Sequence, residues 1–389
     1  MKNKVQRITY GIGLLLFLFP VTLFSIATLW LILGFDVNAF LFPLSLFIAA
    51  LIFYLILHSE GYTKQTFWGV LVFVTGLSVF FFALSGHFYD FSFDGQWYHQ
   101  DAIILLKNGW NPFYDQPILD EIASGQNANY INCYPKAPWT ISACVYATTG
   151  AIEYAKFYQL VLLAASFFFS IHYTLRWFSL SLVSASLLSF VIAFSPVVVG
   201  QSLSFYVDGQ LAIFSLLSLF FICDWITNFE KKVPLFLLGL CLIYFINIKF
   251  TGLIYSLVFL FFAFSWVLWK DRGSVLKMVL KLSVVMTVAI FIFGYSTYGT
   301  NMVRKGHPFY PIMGKNNEGE KIAASQYPKN FFGKNRFEKF YLASFALPNY
   351  TAPNTHPSIP KELFTSNVVK ASLPYYRNHQ PVEMSALGP

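Results

Sequence analysis

The chain has 389 residues, of which 56% are hydrophobic and only 11% charged, and it carries a formal net charge of +8. Soluble domains carry about 25% charged residues, so this composition excludes a soluble globular protein and selects an integral membrane protein. The positive balance is not a nucleic-acid signal, because the Lys and Arg residues sit where membrane topology would put them.

Charge-free apolar runs mark the spans, each needing roughly 20 residues to cross the hydrocarbon core. In chain order they cover 8–35, 37–57, 65–86, 157–173, 177–195, 209–226, 233–248, 250–269 and 282–303, nine in all. The run at 233–248 is the short one. The first follows MKNKVQR and exceeds the roughly 7–15 residues of a signal-peptide core, so it is read as an uncleaved anchor. The expected fold is an all-α polytopic membrane protein of about nine helices, with a large helical first outer loop and an irregular C-terminal outer segment.

Lys and Arg in short loops set the orientation. With the N-terminus cytoplasmic, the inner side holds Lys2, Lys4, Arg7, Lys64, Arg176, Lys231, Lys232, Lys270, Arg272, Lys277 and Lys281. The outer side before the tail holds only Lys107, Lys136, Lys156 and Lys249. The same outer segments carry Asp36, Asp90, Asp94, Asp101, Asp115, Asp120, Glu121, Glu153 and Asp208, so the outer face is acidic.

The loop 87–156 lies on that face. FDGQWYHQDAIILLKNGWNP opens it, and the alternation of Trp97, Ile104 and Leu105 with His99, Gln100, Asp101 and Lys107 predicts an amphipathic helix over 94–108. Gly109 should end this helix and Asn111-Pro112 turn the chain. A second short helix is expected at 116–124, and 140–149 is apolar enough to dip into the membrane. Cys133 and Cys144 both fall near this loop, where a disulfide and two free thiols are both open readings. The tail from Arg304 is rich in Pro, Asn, Lys and aromatics. It stops at SALGP with no finishing element, as expected of a chain cut short of a further segment.

Four ionisable residues at span ends or in loops face outward: Asp94, Lys136, Asp208 and Lys249. Charges near membrane depth are costly and are functional candidates by default. Lysines would hold a phosphate, and a carboxylate would take a proton from a hydroxyl. Each also has a plain alternative. Asp94 and Asp208 could cap helices, Lys249 could snorkel to headgroups, and Lys136 could be an ordinary loop lysine. His99 and Asp101 could form the wet face of the loop helix or join a metal site.

These elements resemble, in order, the GT-C class of membrane glycosyltransferases, and within it the protein O-mannosyltransferase and lipid A aminoarabinose transferase group. The acid opening the first large outer loop is matched by Asp94, followed by Tyr98, the stretch 102–106 and Gly109. A Lys-Pro-Pro element is matched at Lys136 and Pro138, with Ala137 in place of one proline. The Asp at the outer start of a later helix is matched by Asp208, the Lys-Thr element by Lys249 and Thr251, and a GNPFYP-like segment by GHPFYP at 306–311. The family's second acid is replaced by Gly95.

The resemblance implies a transmembrane module over 1–303 and an outer C-terminal segment over 304–389. It implies transfer of a hexose or pentose, with inversion, from a polyprenyl-phosphate donor to a hydroxyl of a lipid-linked glycan, lipid A or protein. Asp94 would be the general base. Lys136, Lys249 and Arg304 would bind the donor phosphate, and Asp208, Tyr98, His99, Asp101 and His307 would support them. No cofactor is required, although members of the class differ over a divalent metal, for which Asp94 and Asp208 would be the ligands. No nucleic acid is implied as a partner, membrane lipids are, and the setting would be a bacterial inner membrane. A transporter or flippase of lipid-linked glycans and an O-antigen ligase or polymerase remain the alternative readings. The absence of an internal repeat weighs against the first, and Arg304, His307, Arg336 and His356 in the tail keep the second open.

Overall fold

The computed structural model describes residues 2–115, 125–227, 229, 231–315, 333–339 and 358–360. Its helices are α1 (Lys2–Ile32), α2 (Leu41–Ser59), α3 (Lys64–Gly86), α4 (Gln100–Lys107), α5 (Gly125–Cys133), α6 (Ala137–Thr149), α7 (Phe157–Trp177), α8 (Leu182–Ala193), α9 (Pro196–Gln201), α10 (Asp208–Thr227), α11 (Lys232–Ile246), α12 (Phe250–Lys270), α13 (Val275–Thr287) and α14 (Thr300–Lys305). Two short strands, β1 (Phe88–Asp90) and β2 (Ser358–Pro360), pair antiparallel with Tyr89 opposite Ile359.

Seven of the described helices are long and apolar enough to cross a membrane, so the chain is an all-α integral membrane protein. Two of the nine expected spans correspond to shorter helices, α8 with 12 residues and α11 with 15. At 1.5 Å per residue these reach only about 18 and 22 Å, short of a hydrocarbon core of about 30 Å. The expected span at 177–195 is cut because Ser195 accepts a bond from Val198 N and Pro196 follows at the first helical position, starting a new helix. The expected helix at 116–124 lies outside the described residues.

Burial separates centre from periphery. The most apolar stretches of α1 and of the 152–177 segment are each 83% buried, against 11% for α3 and 17% for the 272–293 segment. With no water at membrane depth, these peripheral helices leave their Phe and Leu facing lipid, as at Phe73, Phe80 and Phe291. The core carries a satisfied polar thread: Gln210 Nε2 donates to the Tyr158 hydroxyl at 2.9 Å, and Tyr244 donates to Gln210 Oε1 at 2.8 Å.

The contacts sort the loops onto two ends. At one end Asn111 Nδ2 donates to Leu31 O (2.8 Å), Ala137 N to Asn247 O (2.9 Å) and Lys136 Nζ to Ser296 O (3.1 Å). At the other, Arg7 donates to Gly61 O (2.6 Å), Arg176 pairs with Asp224 (2.8 Å) and Lys281 donates to Phe229 O (3.1 Å). The 87–115 and 125–156 segments therefore share an end with the starts of α7, α10 and α12. All four cysteines are free thiols, which closes the disulfide reading for Cys133 and Cys144.

Candidate functional site

The site is built first by the turn after β1. Asp90 folds back so that Oδ1 accepts from Ser92 N at 2.8 Å, an Asx turn that reverses the chain towards Asp94. A helix then starts and widens into a π turn over Gly95–His99, a distortion that often marks functional positions. Asp94 stands at the head of this turn with helical φ and ψ and makes no side-chain cap bond, so the capping alternative does not hold. The Tyr98 hydroxyl donates to Asp94 Oδ2 at 3.4 Å. α4 buries Ala102, Ile103 and Leu106 and leaves Ile104 outward, and His99 is buried as well. This departs from the faces expected from the alternation, which set Ile104 on the apolar side and His99 on the wet one, because the helix packs into the bundle instead of lying flat in the interface. Gly109 ends it at φ +99°.

Aromatic rings surround the acid. Tyr98 is buried and stacks on Tyr130 (centroids 5.3 Å apart, 25°), which also meets Trp97 and Tyr134. Trp97, Tyr130 and Tyr134 each keep part of their surface open. His99 is buried, and its Nδ1 accepts the Trp139 indole N–H at 2.6 Å, which places the imidazole proton on Nε2. Burial, with the nearby Lys249 charge, drives the His99 pKa down to about 3, so the ring is neutral at physiological pH. Asp101 stands about two turns along from Asp94, half-buried, and burial raises its pKa.

Lys249 closes the other side. It precedes α12 in extended conformation and pairs with Asp208 Oδ1, at the start of α10, at 2.9 Å. Each side chain keeps about 30% of its surface. The pair lies beside the aromatic box: Tyr134, 6.1 Å from Tyr98, packs edge-on at 5.4 Å against Phe250, the neighbour of Lys249.

Lys136 and Arg304 belong to a different cluster. The Lys136 ammonium is buried among Tyr134 O (2.8 Å), Asn132 O (2.9 Å), Ser296 O (3.1 Å) and Thr297 Oγ1 (3.4 Å). An ammonium has three protons, so the protein itself already occupies them. Burial, with Arg304 adding to it, pulls the Lys136 pKa down to about 7. Arg304 is exposed at the end of α14 and donates to Tyr114 O at 3.2 Å. His307 Nδ1 accepts from Phe309 N at 3.1 Å, turning GHPFYP back so that Asn301 can donate to Tyr310 O (3.0 Å) and Cys133 O (2.8 Å).

The expected residues thus divide. Asp94, Tyr98 and His99 come together with Lys249 and Asp208, whereas Lys136, Arg304 and His307 join the late helices to the loop. Two residues that the sequence reading did not single out sit under the site. Asp90 is buried, accepts Phe205 N at 2.8 Å, and has its pKa raised by burial against the pull of Lys156. Lys156 is fully buried and donates to Phe88 O at 2.8 Å. Their signal was Asp90 lying four residues before Asp94 in FYDFSFDG. Among the described residues no three His, Cys, Asp or Glu side chains converge as metal ligands. Comparisons with known protein families, curated proteins and solved structures find no match.

Proposed function

We propose that this protein is a membrane glycosyltransferase of the GT-C kind, moving a sugar from a polyprenyl-phosphate donor to an acceptor hydroxyl at the outer face of a bacterial inner membrane. The observation that carries this reading is the juxtaposition of a partly exposed carboxylate, Asp94, with a box of half-open aromatic rings and the Lys249–Asp208 pair. In the proposed reaction Asp94 takes the proton of the acceptor hydroxyl. The oxygen forms its bond to the anomeric carbon as the bond to phosphate breaks, with inversion, and the lipid phosphate leaves with the electron pair. Tyr98 orients Asp94 through its hydroxyl. The faces of Trp97, Tyr130 and Tyr134 supply apolar surface for the sugar ring.

The leaving phosphate is assigned to Lys249, with Asp208 setting its position; Arg304, held at Tyr114 O in the other cluster, is left out of this role. Lys136 enters as the clamp behind this site, since its protons are spent on carbonyls. The acceptor class is a lipid-linked glycan, lipid A or a protein.

The test is mass spectrometry of envelope glycans and lipid-linked sugars in a deletion strain complemented with wild type or Asp94→Asn. The expected result is loss of one sugar, accumulation of its polyprenyl-phosphate donor, and restoration by wild type only. Full restoration by Asp94→Asn would remove the general-base role. An unchanged sugar profile with lipid-linked glycan trapped on the inner side would favour a flippase instead.

A further inference from the structure

We infer that Asp90 is the positioning residue that sets Asp94 against the Asp208–Lys249 pair. The inference rests on the reading of Asp94 as the base, but its geometry is independent of that reading. Asp90 Oδ1 accepts Ser92 N, two residues before Asp94, and Oδ2 accepts Phe205 N, three residues before Asp208, both at 2.8 Å. One carboxylate therefore bonds the backbone leading to each half of the site, across 115 residues of chain. Its own carbonyl accepts Gln96 Nε2 at 3.2 Å, from within the π turn that presents Asp94.

The fit leaves no slack. A Cβ at Gly95 would stand 2.2 Å from Asp90 Oδ2 and 2.1 Å from Ser92 Oγ, so the chain passes directly over the carboxylate and only glycine fits. This also gives the Gly95 departure from the family pattern a physical account: the space that a second acid would need is filled by Asp90. Behind the pair, Lys156 is fully buried, holds Phe88 O at 2.8 Å, and provides the positive charge facing Asp90. A buried acid is an expensive way to hold a loop, since an apolar replacement commonly matches or exceeds a buried ion pair in stability. What it offers that an apolar residue cannot is two directional bonds of fixed length to two separate segments.

The experiment uses the full chain in lipid nanodiscs and compares wild type, Asp90→Asn and Gly95→Ala. Asp90→Asn turns one acceptor oxygen into a donor aimed at a backbone N–H, whereas Gly95→Ala displaces the carboxylate and leaves its charge. If either variant fails to insert, the other carries the test. Hydrogen–deuterium exchange is read on peptides covering 91–96 and 203–208, with the spans as control. Transfer kinetics are read with the polyprenyl-phosphate sugar that accumulates in the deletion strain. Both peptides are expected to lose protection together while the spans do not, and kcat is expected to fall about 10- to 100-fold with KM nearly constant. Unchanged exchange at 203–208 would overturn the tether, and exchange rising with kcat intact would overturn its positioning role. Asp94→Asn in the same assay separates the two ideas: normal transfer in that variant rejects the base, and the exchange result judges the tether on its own.

Discussion

His99 and Lys136 are buried beside the site, and burial disfavours the charged form of both. The consequences for stability fall in different pH windows. His99 titrates near 3 when folded, below its ordinary value of 6.5, so the unfolded chain binds more protons between those values. Stability is then lost as pH falls from about 6.5 towards 3, by a few kcal/mol in all. His99→Gln keeps an acceptor for the Trp139 indole and removes the titration. Thermal unfolding of this variant in detergent should match wild type at pH 7 and fall less steeply below pH 6. An acid limb as steep as that of wild type would show that the imidazole is solvated. Lys136 titrates near 7 when folded against 10.5 ordinarily, so its contribution rises with pH between those values. Lys136→Met takes a donor from the carbonyls of Asn132, Tyr134 and Ser296, of which Tyr134 O keeps Thr297 Oγ1 and Ser296 O keeps Thr300 Oγ1. The loss is therefore about 1–3 kcal/mol for the Asn132 acceptor and less for the other two. The melting temperature of this variant should lie below wild type, with the gap widening from pH 7 to pH 10. A gap independent of pH would place the ammonium in water.

At the scale of elements, the long spans were legible because apolar runs bounded by charge need no tertiary information. A helix in the loop was legible from the alternation around Trp97, Ile104 and Leu105, but its faces were not, since Ile104 points outward and His99 is buried. The π turn was not, because a widened turn leaves no periodic signature over five residues. The shortening of α8 was written in Ser195-Pro196 but masked by the hydropathy on either side. The role of Asp90 could not be read locally, since its partner is the backbone of Phe205. The placing of Lys249 depends on a further close approach. In the α11–α12 hairpin, a Cβ at Gly252 would meet Phe245 O at 2.1 Å, a clash with backbone that no rotamer relieves. Gly252→Ala must therefore push the start of α12 away and draw Lys249 from Asp208. The expected cost is about 1–3 kcal/mol, with lower thermal stability in detergent. Gly69→Ala, where nothing lies within 4 Å, serves as the neutral control. Equal melting of both variants would mean that the hairpin is not packed in this way.

For the whole molecule, two independent arguments meet. Hydrogen bonds between distant loops gather Asn111, Lys136, Asp208 and Lys249 at one end of the bundle, and Arg7, Arg176 and Lys281 at the other. Charge counting alone assigns the same residues to the same two sides, and adds a proposed direction, with the end rich in Lys and Arg cytoplasmic. The contacts fix which residues are neighbours and the charges propose which way the bundle faces, so one labelling experiment can test both. Lys107, on the loop helix, and Lys64, at the start of α3, are placed at opposite ends. On a background in which the four native cysteines are replaced by serine or alanine, Lys107→Cys should react with a membrane-impermeant maleimide on intact spheroplasts. Lys64→Cys should react only after the membrane is opened. Reversal of the two would keep the bundle and invert the orientation, moving the proposed chemistry to the cytoplasmic side, where nucleotide-linked sugars would compete with the polyprenyl donor. Labelling of both from one side would break the bundle itself, because a single α3 crossing separates Lys64 from the β1 turn and the loop helix that follows.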